Sequence, residues 1–438
     1  MTTAIIIGGG MAGVACASEL ADHDVNVTLF DRNDYTQFQP LLYQVASSQL
    51  PAEDIARPLA TAFAGQDRIV TVTAEITGID PTGRTVTTKD GDHEADYLVI
   101  AAGSQANFFG VPGAAEHSYP LYTVQDARRL RRHLRDRLRA LSAPATDGTA
   151  DAASNLAPYT VVICGGGPTG VETAGALAEL FGALKEQGKL HGEATVRLVD
   201  HGHELLKPFT DKTHEYALAK LTEKGVQVTF GVAVSAVGPD TATLSDGSTV
   251  ATDTVIWAGG ISGPPIAATT GIALGHGGRF DVAADLTVPG YPGLYAVGDT
   301  ANIPDGDGHA LPQLGSVALQ SGKWAGKNIV AEIKGDGVTP FHYHDKGIMA
   351  MIGRNAAVSE IGKHRHHLEG PVAFVAWLGL HVVLLSGIHS QVDAFLNWAD
   401  DYFHHERSVN LELDGTPDRI AWADAAADRP VIATVAQS

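Results

Sequence analysis

The sequence predicts an α/β protein with two parallel-sheet, dinucleotide-binding units, and three observations carry that expectation. Two segments look like copies of one another: Ala4-Ile5-Ile6-Ile7-Gly8-Gly9-Gly10-Met11-Ala12-Gly13 and Thr160-Val161-Val162-Ile163-Cys164-Gly165-Gly166-Gly167-Pro168-Thr169-Gly170. In each, a β-branched run suited to a strand buried on both faces ends in glycines and opens into an Ala-rich helical stretch. A third apolar run, Leu294-Tyr295-Ala296-Val297, ends in Gly298-Asp299 late in the chain. With 438 residues, the chain exceeds what one core accommodates and should divide into two or three units.

The glycines have separate tasks. In Gly8-x-Gly10-x-x-Gly13 the first makes the tight strand-to-helix turn, the second lets the backbone approach a pyrophosphate, and the third lets helix and strand pack closely. The helix N-terminus then offers free N–H groups and a partial positive charge to phosphates. Val27-Thr28-Leu29-Phe30-Asp31 follows, placing Asp31 at the end of a second strand, where a carboxylate binds ribose hydroxyls. The second copy, Gly165-x-Gly167-x-x-Gly170, is followed by Val196-Arg197-Leu198-Val199-Asp200. An acid at that strand end repels a 2′-phosphate and accepts from a free 2′-OH, which favours NADH over NADPH. Behind an N-terminal dinucleotide fold, Gly298-Asp299 suits an aspartate reaching the ribityl chain of FAD. Val99-Ile100-Ala101-Ala102-Gly103-Ser104 and Val255-Ile256-Trp257-Ala258-Gly259-Gly260 are matching strand-then-glycine segments, one per unit.

Composition excludes several function classes. Fifty acidic against 30 basic residues give a formal net charge of −20, which repels phosphate backbones and argues against nucleic-acid binding. Cys16 and Cys164 are too few for a disulfide framework and read as small packing residues in a reducing compartment. The N-terminus runs straight into a strand, with no positive region or cleavage site expected of a signal peptide. Val124 to Leu141 places Leu130, Leu134, Leu138 and Leu141 among many arginines, a solvated helix with one apolar stripe. Pro371 to Val392 contains no Asp, Glu, Lys or Arg, yet His381, His389, Gly379 and Gly387 interrupt it; a buried or interfacial helix is expected rather than a membrane span. The histidines at 364, 366, 367, 404 and 405 lack the spacing that closes a metal site and are expected on solvated surface.

Taken together these residues resemble the pyridine-nucleotide–disulfide oxidoreductase superfamily, and within it the type II NADH:quinone oxidoreductases. The resemblance extends from residue 4 to about 412 and rests also on Phe38-Gln39-Pro40-Leu41-Leu42-Tyr43-Gln44-Val45-Ala46, Gly167-Pro168-Thr169-Gly170-Val171-Glu172 and Asn397-Trp398-Ala399. It implies two Rossmann-like domains in a glutathione-reductase-like arrangement. FAD would be held by Gly8, Gly10, Gly13, Asp31, Leu42, Ala102, Gly103, Gly298 and Asp299, and NADH by Gly165, Gly167, Gly170, Asp200 and Gly259. Residues 1–112 and 285–350 would form the FAD domain, and 113–284 an inserted NADH domain with a flexible loop at 142–158. Residues 351–412 would form a homodimer and membrane-docking region, followed by a weakly ordered tail at 413–438. By the same resemblance, Leu42 lies in a loop against the flavin ring, Glu172 near the nicotinamide, and Gln320 in a quinone pocket.

Two departures bear on the acceptor. Where the family has Ala-Gln-x-x-x-Gln, this chain reads Gly315-Ser316-Val317-Ala318-Leu319-Gln320, so Ser316 replaces a glutamine and leaves more room. From Ser359 to Glu412 the acidic residues outnumber Lys363, Arg365 and Arg407, which weakens attraction to an anionic surface. The expected function is FAD-dependent transfer of two electrons from NADH to a quinone, in the cytoplasm or peripherally on the inner membrane face. A soluble NADH-dependent flavoenzyme with a specialised acceptor and a redox-dependent binding protein stand as alternatives.

Overall fold

The computed structural model describes residues 1–142, 158–362, 364–385 and 398. The interior of the expected 142–158 loop, His389, His404, His405, Asn397, Ala399 and the tail from residue 413 lie outside the described residues.

Each glycine copy sits in its own five-stranded parallel sheet. The first sheet is ordered Leu294–Ala296, Tyr97–Ile100, Thr3–Ile7, Asn26–Asp31, Ile69–Thr73. The second runs Ser118–Pro120, Thr254–Trp257, Tyr159–Cys164, Ala194–Asp200, Gln227–Phe230. In both, the strand before the glycines is central and the strand ending in the aspartate lies beside it. The β-branched runs occupy the centre because both faces of each sheet are covered, leaving Ile5, Ile6, Val161, Val162 and Ile163 buried.

The chain passes between the sheets twice, and the two crossings pair as strands: Gln105 opposite Ser262 and Ala106 opposite Ile261. Ala267, Phe280 and Val282 pack in the core of the first sheet. The return crossing therefore lies at Ile261–Ser262, earlier than the boundary expected at residue 284.

The arginine-rich stretch forms the helix Val124–Ser142, whose leucine stripe is buried. Burying a leucine is worth about 2 kcal/mol, whereas an exposed helix ion pair gives ~0.4 kcal/mol, so the stripe, not the arginines, seats this helix. It packs against the short helix Leu42–Ala46. A three-stranded antiparallel sheet, Gly347–Gly353, Ala356–Ile361 and His366–Glu369, follows, then the helix Gly370–Leu384. Ala373, Trp377 and His381 face inward on that helix, while Val372, Val375, Leu380, Val383 and Leu384 are exposed. No helix among the described residues is long and apolar enough to cross a membrane. His367 departs from the solvated surface expected of it: its Nε2 lies 2.6 Å from Glu369 and its Nδ1 3.2 Å from the Thr213 hydroxyl.

Candidate functional site

The two glycine turns are built alike. Gly8 adopts φ 106° and Gly165 φ 110°, a region that side chains with a Cβ avoid. A Cβ on Gly8 would strike the Ala101 carbonyl, and one on Gly165 the Ala258 carbonyl. These carbonyls belong to the matching Ala101-Ala102-Gly103 and Ala258-Gly259 segments, which close against the turns through Ala101 N–H to Ile7 O and Ala258 N–H to Cys164 O, both 2.8 Å. A Cβ on Gly13 or Gly170 would collide with the carbonyl of Gly8 or Gly165, so these residues let helix and strand touch. At Gly10 and Gly167 a Cβ would meet no protein atom within 4 Å. Protein packing does not require glycine there, whereas close approach by a phosphate group does.

Asp31 and Asp200 finish the parallel. Asp31 Oδ2 accepts from Gly9 N–H at 2.7 Å and Oδ1 from Asn33 N–H at 2.7 Å. Asp200 accepts from Gly166 N–H and Gly202 N–H, each at 2.6 Å. Each carboxylate thus braces its own glycine turn, and each oxygen retains a lone pair for a further donor. Burial raises the Asp31 pKa above the usual carboxylate value, against the pull of its two N–H donors. The helices beginning at Met11 and Pro168 have glycine N-caps and no side-chain cap, so their first N–H groups point at the turn unclaimed by side chains.

Asp299 comes to the first turn from the other end of its sheet. Gly298, φ 66°, lies so near the first helix that a Cβ on it would sit 3.1 Å from the Ala12 side chain. Thr300 donates to Gly103 O at 2.8 Å. Ser104 and Tyr122, neither of them expected at the site, complete this corner. Tyr122 Oη accepts from Ser104 N–H at 3.0 Å and lies 2.8 Å from Ser104 Oγ; both hydroxyls are 3.4 Å from Asp299 Oδ2. Burial raises the pKa of Asp299 and pushes Tyr122 up to about 12. Tyr122 sits just ahead of the arginine-rich helix, and its placement depends on Gln37, which donates to Tyr122 O at 3.1 Å and accepts from Val124 N–H at 2.9 Å. No local pattern marks it.

Glu172 and Gln320 lie in different settings. Glu172 is on the first turns of the Pro168–Glu186 helix, and its Oε1 accepts from Met351 N–H at 3.1 Å. It lines a cavity with Tyr43, Gln44, Ala176, Glu179, Met351, Phe374, Leu378 and Trp398. Burial raises its pKa to about 8, so the carboxyl is largely protonated at neutral pH. Gln320, on the Gly315–Lys334 helix, has both ends of its amide occupied: Nε2 donates to His344 O at 3.1 Å and Oε1 accepts from His344 N–H at 3.0 Å. Ser316 Oγ lies 2.8 Å from Tyr343 Oη. The room expected at Ser316 is therefore filled by a tyrosine hydroxyl, and both residues fasten the helix to the segment before Gly347. Leu42 is buried in the core that joins the Leu42–Ala46 helix to the second sheet. Burial raises the pKa of both Cys16 and Cys164 to about 12, which keeps them protonated as thiols at neutral pH.

A family model described as pyridine nucleotide-disulphide oxidoreductase matches residues 2–322, spanning both turns and Asp299. Two type II NADH:quinone oxidoreductases of Mycobacterium tuberculosis are 31% and 32% identical to this chain, each over 92% of it, covering 88% and 87% of the relatives. The chain belongs to the type II NADH:quinone oxidoreductase family. A relative of that description from Staphylococcus haemolyticus is 27% identical over 81% of the chain and 88% of its own length. Among solved structures, NDH2 from Plasmodium falciparum in complex with NADH superposes with a TM-score of 0.83 at 17% identity, over 92% of this chain and 98% of that one. The sulfide:quinone oxidoreductase of Aquifex aeolicus gives 0.70 at 21% identity, over 92% and 95%. At such identities these structures attest the fold, and the family assignment rests on the sequence relatives.

Proposed function

We propose that this chain is an FAD-dependent NADH:quinone oxidoreductase, with FAD at the Gly8 turn, NADH at the Gly165 turn, and the acceptor at the cavity lined by Glu172. The observation that carries the reading is the duplication of the turn, down to the open space over Gly10 and Gly167, with the buried Glu172 carboxyl lining a cavity beside the second copy. Bound FAD supplies the two-electron relay between donor and acceptor. The chain's own residues do the rest. Gly10, Gly167 and the uncapped helix starts bind pyrophosphate, and Asp31 and Asp299 hold hydroxyl groups of the FAD. Asp200 disfavours a 2′-phosphate. Ala102, Gly103 and Gly259 line the approach at the strand ends.

Reduction of a quinone to a quinol takes two electrons and two protons, one of which travels with the hydride of NADH and one of which comes from elsewhere. Glu172, protonated at neutral pH, holds the second within the cavity. The assignment is tested by NADH oxidation with menadione as acceptor. Quinone-dependent turnover is expected; flavin bleaching by NADH with no menadione-dependent rate would overturn it.

The finer features of attachment belong to the same proposal. Val372, Val375 and Val383 are 65%, 66% and 73% exposed on the Gly370–Leu384 helix, an apolar face that a bilayer surface covers in a monotopic enzyme. Few basic residues flank it, so attachment is apolar in origin and insensitive to salt. Vesicle flotation should recover the protein equally at low and high ionic strength; protein left in the soluble fraction at both would contradict it. A homodimer through residues beyond 351 and a location on the inner membrane face are part of this reading.

A further inference from the structure

Two motifs far apart in sequence meet at the cavity, and hydrogen-bond polarity fixes what they present to it. Trp398 Nε1–H donates to Gln44 Oε1 at 2.9 Å across 354 residues of chain. An indole N–H is only ever a donor, so the amide oxygen of Gln44 faces Trp398 and its NH2 group faces the other way. That NH2 group donates to Tyr43 Oη at 3.0 Å. Since Nε2 has no lone pair to offer, the Tyr43 proton cannot be directed back to Gln44. Both Tyr43 and Gln44 are buried, at 3% and 4% exposure, and no acceptor among the described residues takes the phenol proton. Both line the same cavity as Glu172. Trp398 is held in turn against Trp377, with ring centroids 5.9 Å apart, and Trp377 stacks on His381 at 3.8 Å. The relay thus starts at Trp398, packed against the Trp377–His381 pair of the Gly370–Leu384 helix.

We propose that Tyr43 is an acceptor-recognition residue: the Trp398–Gln44 relay turns its hydroxyl proton into the cavity, where it donates a hydrogen bond to a carbonyl oxygen of a quinone. This rests on the cavity being the acceptor site. A cavity offering the Tyr43 O–H and a protonated Glu172 suits a ligand with two acceptor oxygens and disfavours one with donors only. Burial and the neighbouring Glu172 carboxyl hold the Tyr43 pKa well above its ordinary value, so the proton stays on the phenol as the acceptor binds. The relay gives the Tyr43-Gln44 pair of the flavin-side loop and the distant Trp398 a shared role.

The test compares two acceptors on the FAD-loaded full chain. Menadione needs the cavity and its donors, while ferricyanide takes single electrons without either. Tyr43→Phe keeps the ring and removes the proton, and should lower kcat/KM for menadione at least tenfold, mostly through KM, with ferricyanide reduction within about twofold of the parent. Trp398→Phe leaves the Gln44 amide free to flip, and should give a smaller loss, about threefold or more, with the same selectivity. Equal losses with both acceptors would assign Tyr43 to packing and overturn the inference, as would no loss with either. Glu172→Gln, run in parallel, separates the two claims. If it leaves menadione turnover intact while Tyr43→Phe does not, the reading of Glu172 fails and that of Tyr43 stands. If neither affects menadione, the acceptor binds elsewhere and both fall.

Discussion

The two glycine turns share one architecture, yet what covers their helices differs, and the proposed division between a retained cofactor and an exchanging donor rests on that difference. The Met11–Ala21 helix is sealed by the Gly315–Lys334 helix, which approaches so closely that a Cβ at Gly322 would strike the Ala12 carbonyl. Around its N-terminus, Asp299, Ser104 and Tyr122 fill the remaining corner with hydrogen bonds. The Pro168–Glu186 helix is instead covered by the antiparallel sheet, where a Cβ at Gly175 would strike the Ile352 carbonyl. A sheet edge covers less of a helix than a second helix does, and the part left over is the cavity containing Glu172. On the proposed assignment, the sealed copy would hold the resident FAD and the copy beside the cavity would exchange ligands.

The largest expected effects come from breaking the shared element in each copy. Gly13→Val and Gly170→Val both force a side chain into a backbone carbonyl. In the sealed copy, this should abolish FAD retention and most folded yield, read as loss of visible flavin absorbance. In the open copy, FAD should remain while the KM for NADH rises at least tenfold. Equal loss of flavin in both variants would remove the distinction.

Glu172→Gln is next. Because the folded pKa is raised to about 8, wild-type quinone turnover should fall as pH rises through 8, and this limb should vanish in the variant. The stability sign runs the same way. The folded chain binds a proton that the unfolded chain releases above the ordinary value of 4.5, so this contribution is full below about 4.5 and lost as pH rises towards 8. The variant's Tm should therefore fall less between these limits, measured by thermal unfolding in matched buffers.

A smaller effect is expected from the bracing carboxylates. Asp200→Ala removes two N–H partners from the open turn and the charge that repels a 2′-phosphate, so the NADH-over-NADPH preference should drop several-fold in kcat/KM. Asp31→Ala in the sealed turn should leave that preference unchanged and weaken FAD instead. The least effect is predicted for Tyr122→Phe, a shift of flavin absorbance or potential with turnover reduced at most a few-fold. An unchanged flavin spectrum and potential would separate Tyr122 from the cofactor.

How far the sequence foretold this depends on whether a residue's role is local. Gly13 and Gly170 were readable because the constraint, the carbonyl of Gly8 or Gly165 within reach of a missing Cβ, arises inside one strand-turn-helix. Gly8 and Gly165 were readable from the same motif, although the carbonyls that exclude a Cβ there, Ala101 and Ala258, come from a distant strand. Asp31 and Asp200 were readable as strand-end acids, though not as the braces of their own turns. Tyr122 was invisible because it depends on Gln37 and Asp299, which lie far apart in the chain. The expectations for Ser316 and Gln320 rested on the family's motif alone, and the partners that occupy them, Tyr343 and His344, lie past the end of their helix. The leucine stripe of the arginine-rich helix was legible at once, since a 3.6-residue period needs no knowledge of what it packs against.

The central claim is that electrons enter at the open turn and leave at the cavity containing Glu172. Its most direct test is a two-stage rapid-mixing measurement on FAD-loaded Glu172→Gln, with NADH bleaching the flavin first and menadione restoring its colour second. Bleaching within about twofold of the parent with reoxidation at least tenfold slower is the predicted result. Slowed bleaching with unchanged reoxidation would place Glu172 on the donor side and contradict the account.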